Sequence, residues 1–276
     1  MNFLATYTWS KVLSDAHDLL NGGSAGNSVG GNINGYRAPS IPGFGIKGDY
    51  ALAPFDIRNV VHFSGGYELP VGKGKRYMGH GGLSDTLLGG WAVNWTATLQ
   101  GGQPLTIPCS SSGTAASTAC NAIVVGDPKR GLHVDSQGFP NLFANASAFN
   151  QPCNLGGSVG ATAPIADKPF TGCIPLNGLD ALGGGPTQFA GPGFHRLDMS
   201  FFKNFQINER FRLQFRSEFF NIFNHPNFNA PGFGGNGVVA RSGSIDFRSV
   251  NFGEIGSTRD APYDPRQIQF ALKLYY

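Results

Sequence analysis

The sequence predicts an all-β fold, an antiparallel meander of about six long strands, and three observations carry that prediction. Apolar residues recur at every second position in six separate segments. The segments run about nine to thirteen residues, longer than the usual five or six. The links between them sort by length, short at one end of the sheet and long at the other.

The segments follow in chain order. Phe3, Ala5, Tyr7 and Trp9 alternate with Thr6, Thr8 and Ser10. Val61, Phe63, Tyr67 and Leu69 oppose Arg58, His62, Ser64 and Glu68. Trp91, Val93, Trp95, Ala97 and Leu99 oppose Asn94, Thr96, Thr98 and Gln100. Leu197, Met199, Phe201 and Phe205 alternate with Arg196, Asp198, Ser200 and Asn204. Phe211, Leu213, Phe215, Ser217 and Phe219 share one face, with Arg212, Gln214, Arg216 and Glu218 on the other. The clearest strand is the last. There Ile268, Phe270, Leu272, Leu274 and Tyr276 alternate with Gln267, Gln269, Ala271, Lys273 and Tyr275. A period of two places such sets on opposite faces of a sheet.

Antiparallel neighbours reverse direction, so strands over 3–11, 57–69, 88–100, 195–205, 210–220 and 266–276 assign each link to an end. Links 70–87 and 206–209 fall at one end, and the latter is short enough for a hairpin. Links 12–56, 101–194 and 221–265 fall at the other and are far longer. Short turns at one end and long loops at the other are the asymmetry of a transmembrane outer-membrane barrel, here an incomplete one. The strand lengths suit a tilted bilayer crossing. The long links are rich in Gly, Ser, Asn and Pro, as in Gly22–Gly35 and Gly183–Gly193. Without a sustained hydrophobic period they are expected to build no core alone.

Composition agrees. Only 13% of the 276 residues are charged, while Gly numbers 41 and Phe 23. Gly disfavours helix interiors and Phe favours strands. A net charge of +3 implies no nucleic-acid partner. No apolar run reaches the roughly 18 residues of a transmembrane helix. Met1 to Trp9 carries neither the basic nor the apolar region of a signal peptide, so an outer-membrane chain would have its N-terminus elsewhere. Cys109, Cys120, Cys153 and Cys173 show no zinc spacing. They read either as unpaired small residues or as two disulfides of an exported loop. Short separations favour Cys109 with Cys120 and Cys153 with Cys173.

The polar face carries the candidate lumen-facing residues Arg58, His62, Arg196, Asp198, Arg212, Arg216, Glu218 and Lys273, besides Glu68. Unpaired ions in a dry core would cost several kcal/mol each, so this face is expected to meet water. The apolar face would meet lipid, with Tyr7, Trp9, Tyr67, Trp91 and Tyr276 near strand ends as interfacial aromatics. The competing reading makes that face the core of a soluble sandwich. Arg212 and Arg216 suit an anionic ligand, or else pair with Glu218 or Asp198 in the wall. Gly72-Lys73-Gly74-Lys75 lacks phosphate-loop spacing and reads as a solvated turn. The six histidines, among them His62 and His225, lack ligand spacing. No catalytic constellation occurs, so neither an enzyme, a cofactor nor a metal is expected.

Several stretches resemble one family. They are Tyr7-Thr8-Trp9-Ser10-Lys11, then Asp56-Ile57-Arg58-Asn59 with Tyr67 to Arg76, and Phe202-Lys203-Asn204-Phe205. Further on come Phe219-Phe220-Asn221-Ile222-Phe223-Asn224-His225-Pro226-Asn227-Phe228, Phe252-Gly253-Glu254-Ile255, and Pro265-Arg266 with the final strand. Together they resemble the C-terminal barrel region of Oar-like TonB-dependent receptors. The resemblance implies a barrel of about 22 strands plugged by a separate N-terminal domain. It implies TonB as a partner through that N-terminal machinery, which residues 1–276 are expected to lack along with the first strands. It also implies that Ile268, Phe270, Leu272, Leu274 and Tyr276 form the signal read by the barrel-insertion machinery. Outer-membrane lipid is the remaining expected partner, and the transported ligand is open. The alternative function is a secreted β-rich binding or adhesion module.

Overall fold

The computed structural model describes residues 1–14, 50–72, 74–77, 87–107, 121–136, 138–150, 184–232, 247, 249, 251–259 and 265–276. The strands among these are β1 (Asn2–Trp9), β2 (Leu13–Ser14), β3 (Ala51–Leu52), β4 (Asn59–Glu68), β5 (Trp91–Gln100), β6 (Pro104–Leu105) and β7 (Ile123–Val124). They continue with β8 (Arg130–Val134), β9 (Pro140–Phe143), β10 (Phe149–Asn150), β11 (Phe189–Ala190), β12 (Phe194–Gln206), β13 (Arg212–Phe220) and β14 (Gln267–Tyr275). Six of them make one sheet in the order β1-β4-β5-β12-β13-β14, and every neighbouring pair is antiparallel.

Each long strand grows from the period-two pattern, with its ends moved slightly. Leu87 and Leu88 sit in a helical turn, so the segment expected from 88 begins as strand only at Trp91. Arg58 precedes β4, although its carbonyl still accepts the Ser10 N–H at 3.0 Å. Phe211 belongs to the turn before β13. That turn, 207–211, joins β12 to β13 and is closed by backbone bonds to the Phe211 carbonyl and by the Asn208 side chain. Asn208 Oδ1 accepts the backbone N–H groups of Arg210 and Phe211 at 3.0 and 2.8 Å. An asparagine amide bonding the chain just ahead is a standard turn-former.

By strand direction, links 69–90 and 207–211 leave and re-enter the sheet at one end, and 10–58, 101–193 and 221–266 at the other. Residues of the long links correct the expectation that they build no core. Leu105, Ile107, Leu142, Phe143, Phe149, Phe247, Phe252 and Ile255 form a buried cluster. Phe143 stacks on Phe252 with centroids 5.3 Å apart, and Phe149 meets both edge-on. Three short antiparallel pairs frame the cluster: β6 with β11, β7 with β10, and β8 with β9. The physical reason is composition. Several phenylalanines drawn from distant positions bury enough apolar area without any local period.

The sheet behaves in the opposite way. Along the six long strands only Lys203 and Ser217 are buried. Phe270 and Leu272 stay 67% and 69% exposed. The hydrophobic core of the described residues therefore lies beside the sheet and not under it.

Candidate functional site

Strand register collects the expected polar residues on one face. Arg196 stands opposite Thr98, which stands opposite His62. Ser200 stands opposite Glu218, Phe202 opposite Arg216, and Gln214 opposite Lys273. His62 Nδ1 lies 3.1 Å from Thr98 Oγ1. Arg196 Nε donates to the Asp198 carboxylate at 2.9 Å, and that carboxylate also accepts the Asn221 N–H at 2.8 Å. Arg216 pairs with Glu218 at 2.6 Å and lies over the Phe202 ring. The expected pairing of this wall thus holds for Arg216. Arg212 departs from it. Its guanidinium stacks over Tyr275 at 4.4 Å, with Lys273 Nζ 4.8 Å from the same ring. Among the described residues neither Arg212 nor Lys273 forms an ion pair.

Two residues of β12 escape a reading by type. The strand alternates without a break, so Phe202 joins the polar face and Lys203 the apolar one. Lys203 stands opposite Trp91, is buried, and donates to the Gly89 carbonyl. Its Nζ lies 4.9 Å from the Phe205 centroid and 5.6 Å from that of Trp91. An ammonium sheltered by aromatic rings near a strand end is how lysine is accommodated at the edge of an apolar surface. Counting parity through 194–206 would have revealed it.

The last strand pairs with β13 along its length, from Gln267 opposite Phe220 to Tyr275 opposite Arg212. Ile268, Phe270, Leu272 and Leu274 fall on the apolar face, with Phe270 stacked on Phe215 at 6.1 Å. Tyr276 follows β14 and is 97% exposed.

The segment after β13 explains its own sequence. Asn221 and Asn224 adopt positive φ of 49° and 53°, a conformation asparagine tolerates. The buried Asn221 amide bonds both backbone groups of His225, at 2.9 and 3.0 Å. Asn224 Oδ1 accepts the Arg266 N–H at 2.9 Å, which ties this turn to the entry of β14. Around Gly72 the chain makes a turn in which Lys75 pairs with Glu68 at 2.9 Å. Lys73, Cys109, Cys120, Cys153 and Cys173 lie outside the described residues.

A meander of membrane-crossing length, apolar and unburied on one face and ion-paired on the other, defines a transmembrane β-wall. A soluble sandwich would instead bury the apolar face. The chain belongs to the outer membrane beta barrel domain family, whose model matches residues 1–269. Its place is accordingly the outer membrane. No curated protein and no solved structure matches the chain.

Proposed function

We propose that this chain is a wall segment of an outer-membrane receptor for TonB-coupled uptake. The polar face lines the lumen, the apolar face meets lipid, and the long links form the extracellular surface. The observation that carries this reading is the separation of charge from core. Paired ions occupy one sheet face, whereas the buried phenylalanines belong to links at one end. A folded set of links over a polar wall suits capture of a ligand before passage. The resemblance to Oar-like receptors supports the coupling to TonB, and its motif residues Asn224 and Arg266 tie the turn after β13 to the entry of β14. Among the described residues β1 and β14 each pair on one side only, and closing such a sheet into a barrel takes further strands. The function includes no catalytic step and no cofactor.

The test uses the receptor as the cell makes it. Growth on limiting siderophores, carbohydrates or peptides is compared in strains with and without the receptor and with and without TonB. A nutrient whose uptake needs both supports the proposal. Uptake that needs the receptor but persists without TonB makes it a passive channel.

A further inference from the structure

Two histidines meet at the long-loop end of the sheet. His195 comes from the start of β12 and His225 from the turn after β13, and their ring centroids lie 5.6 Å apart with the planes inclined by 57°. Both residues are exposed. Their hydrogen bonds among the described residues are made by the backbone, which leaves the ring nitrogens to solvent.

Each backbone is held by a buried asparagine. The His195 N–H donates to Asn227 Oδ1 at 2.7 Å, and Asn227 is 1% exposed. Asn221, 2% exposed, grips the N–H and the carbonyl of His225 together. Asn221 holds φ at +49° while doing so. Buried amides and a left-handed turn residue fix the positions from which two imidazoles project into water. Simple surface residues require no such support.

The spacing has a chemical meaning. Imidazole nitrogens bind zinc at about 2.0–2.1 Å, which puts the centroids of two co-ligating rings roughly 5 Å apart. The observed separation of 5.6 Å is close to that value. We propose that His195 and His225 form a two-imidazole site for a borderline divalent transition metal, Zn(II), Ni(II) or Cu(II). Its remaining positions are open to water or to a ligand carried with the metal. Imidazole selects these ions over the hard cations Mg(II) and Ca(II). Sequence spacing hides the site because the two ligands come from different elements. The inference stands apart from the transport reading, since it needs only the long-loop end of β12 and β13.

The test takes the protein extracted from the outer membrane in detergent. Calorimetric titration with zinc chloride and with copper sulfate should show one site. His195→Gln or His225→Gln should weaken it by about tenfold or more, since each removes one of two ligands. His62→Gln and His133→Gln should leave it unchanged. Bound Cu(II) should show coupling to two imidazole nitrogens by electron paramagnetic resonance. A second measurement needs no variant. Zinc should protect the peptides carrying His195 and His225 from diethylpyrocarbonate, as read by mass spectrometry. Absence of that protection, or equal affinity in the His195→Gln/His225→Gln double variant, overturns the site.

Discussion

Leu272 and Lys273 are neighbours in sequence and lie on opposite faces of β14, opposite Phe215 and Gln214 respectively. With Leu272 near the bilayer midplane, Leu272→Arg is expected to cost about 2–4 kcal/mol of insertion free energy, while Lys273→Gln stays in water and is tolerated. Outer-membrane yield of the protein measures both, and equal yields would remove lipid from the apolar face. Gly65 tests packing on the same face. It stands opposite Trp95, and an added Cβ would lie 2.5 Å from the indole and 2.7 Å from the Asn2 carbonyl oxygen. Gly65→Ala therefore forces the indole and β1 aside, at about 1–3 kcal/mol. A lowered urea midpoint checks it, and an unchanged midpoint would show that β1 yields freely. Residues such as Leu272 and Lys273 were legible in the sequence because parity alone places them. Lys203 was not, since a cation among apolar positions reads as a break until its shelter by Trp91 and Phe205 is seen.

At the scale of the element, the strands were legible and their joints were only partly so. Period two is a local property, and it located all six strands of the sheet. The turn after β13 depends on side chains reaching across elements, which no local pattern reports. Asn221→Ala removes the clamp on His225 and leaves a disfavoured φ on a residue with a Cβ. A loss of about 1–3 kcal/mol follows from the unmade hydrogen bonds. Asn221→Gly relieves the backbone angle but not the bonds, so it should recover only part of the stability in the same unfolding measurement. Recovery to the full value would assign everything to φ. In the longest link, non-reduced peptide mapping should find Cys109 joined to Cys120 and Cys153 to Cys173. Free thiols at those positions would dismiss the bridges.

At the scale of the whole molecule, the buried phenylalanines and the membrane-crossing sheet are separate sources of stability. Phe149, 1% exposed, sits among Phe143, Phe189, Phe247 and Phe252. Phe149→Ala should cost about 3–5 kcal/mol of link stability. Hydrogen exchange should then quicken in 140–150 and remain slow in 91–100. Equal quickening in both would mean that sheet and links unfold as one. This core was illegible in the sequence because Leu105, Phe143 and Phe252 share neither a period nor a neighbourhood along the chain. The placement of that core also sets a timetable. Apolar residues drawn from the links can condense in water once the chain has been made through Ile255. The strands have nothing to condense around until they reach lipid. On its way to the membrane the chain is therefore half dressed: every second residue of each extended strand is still an apolar side chain facing water.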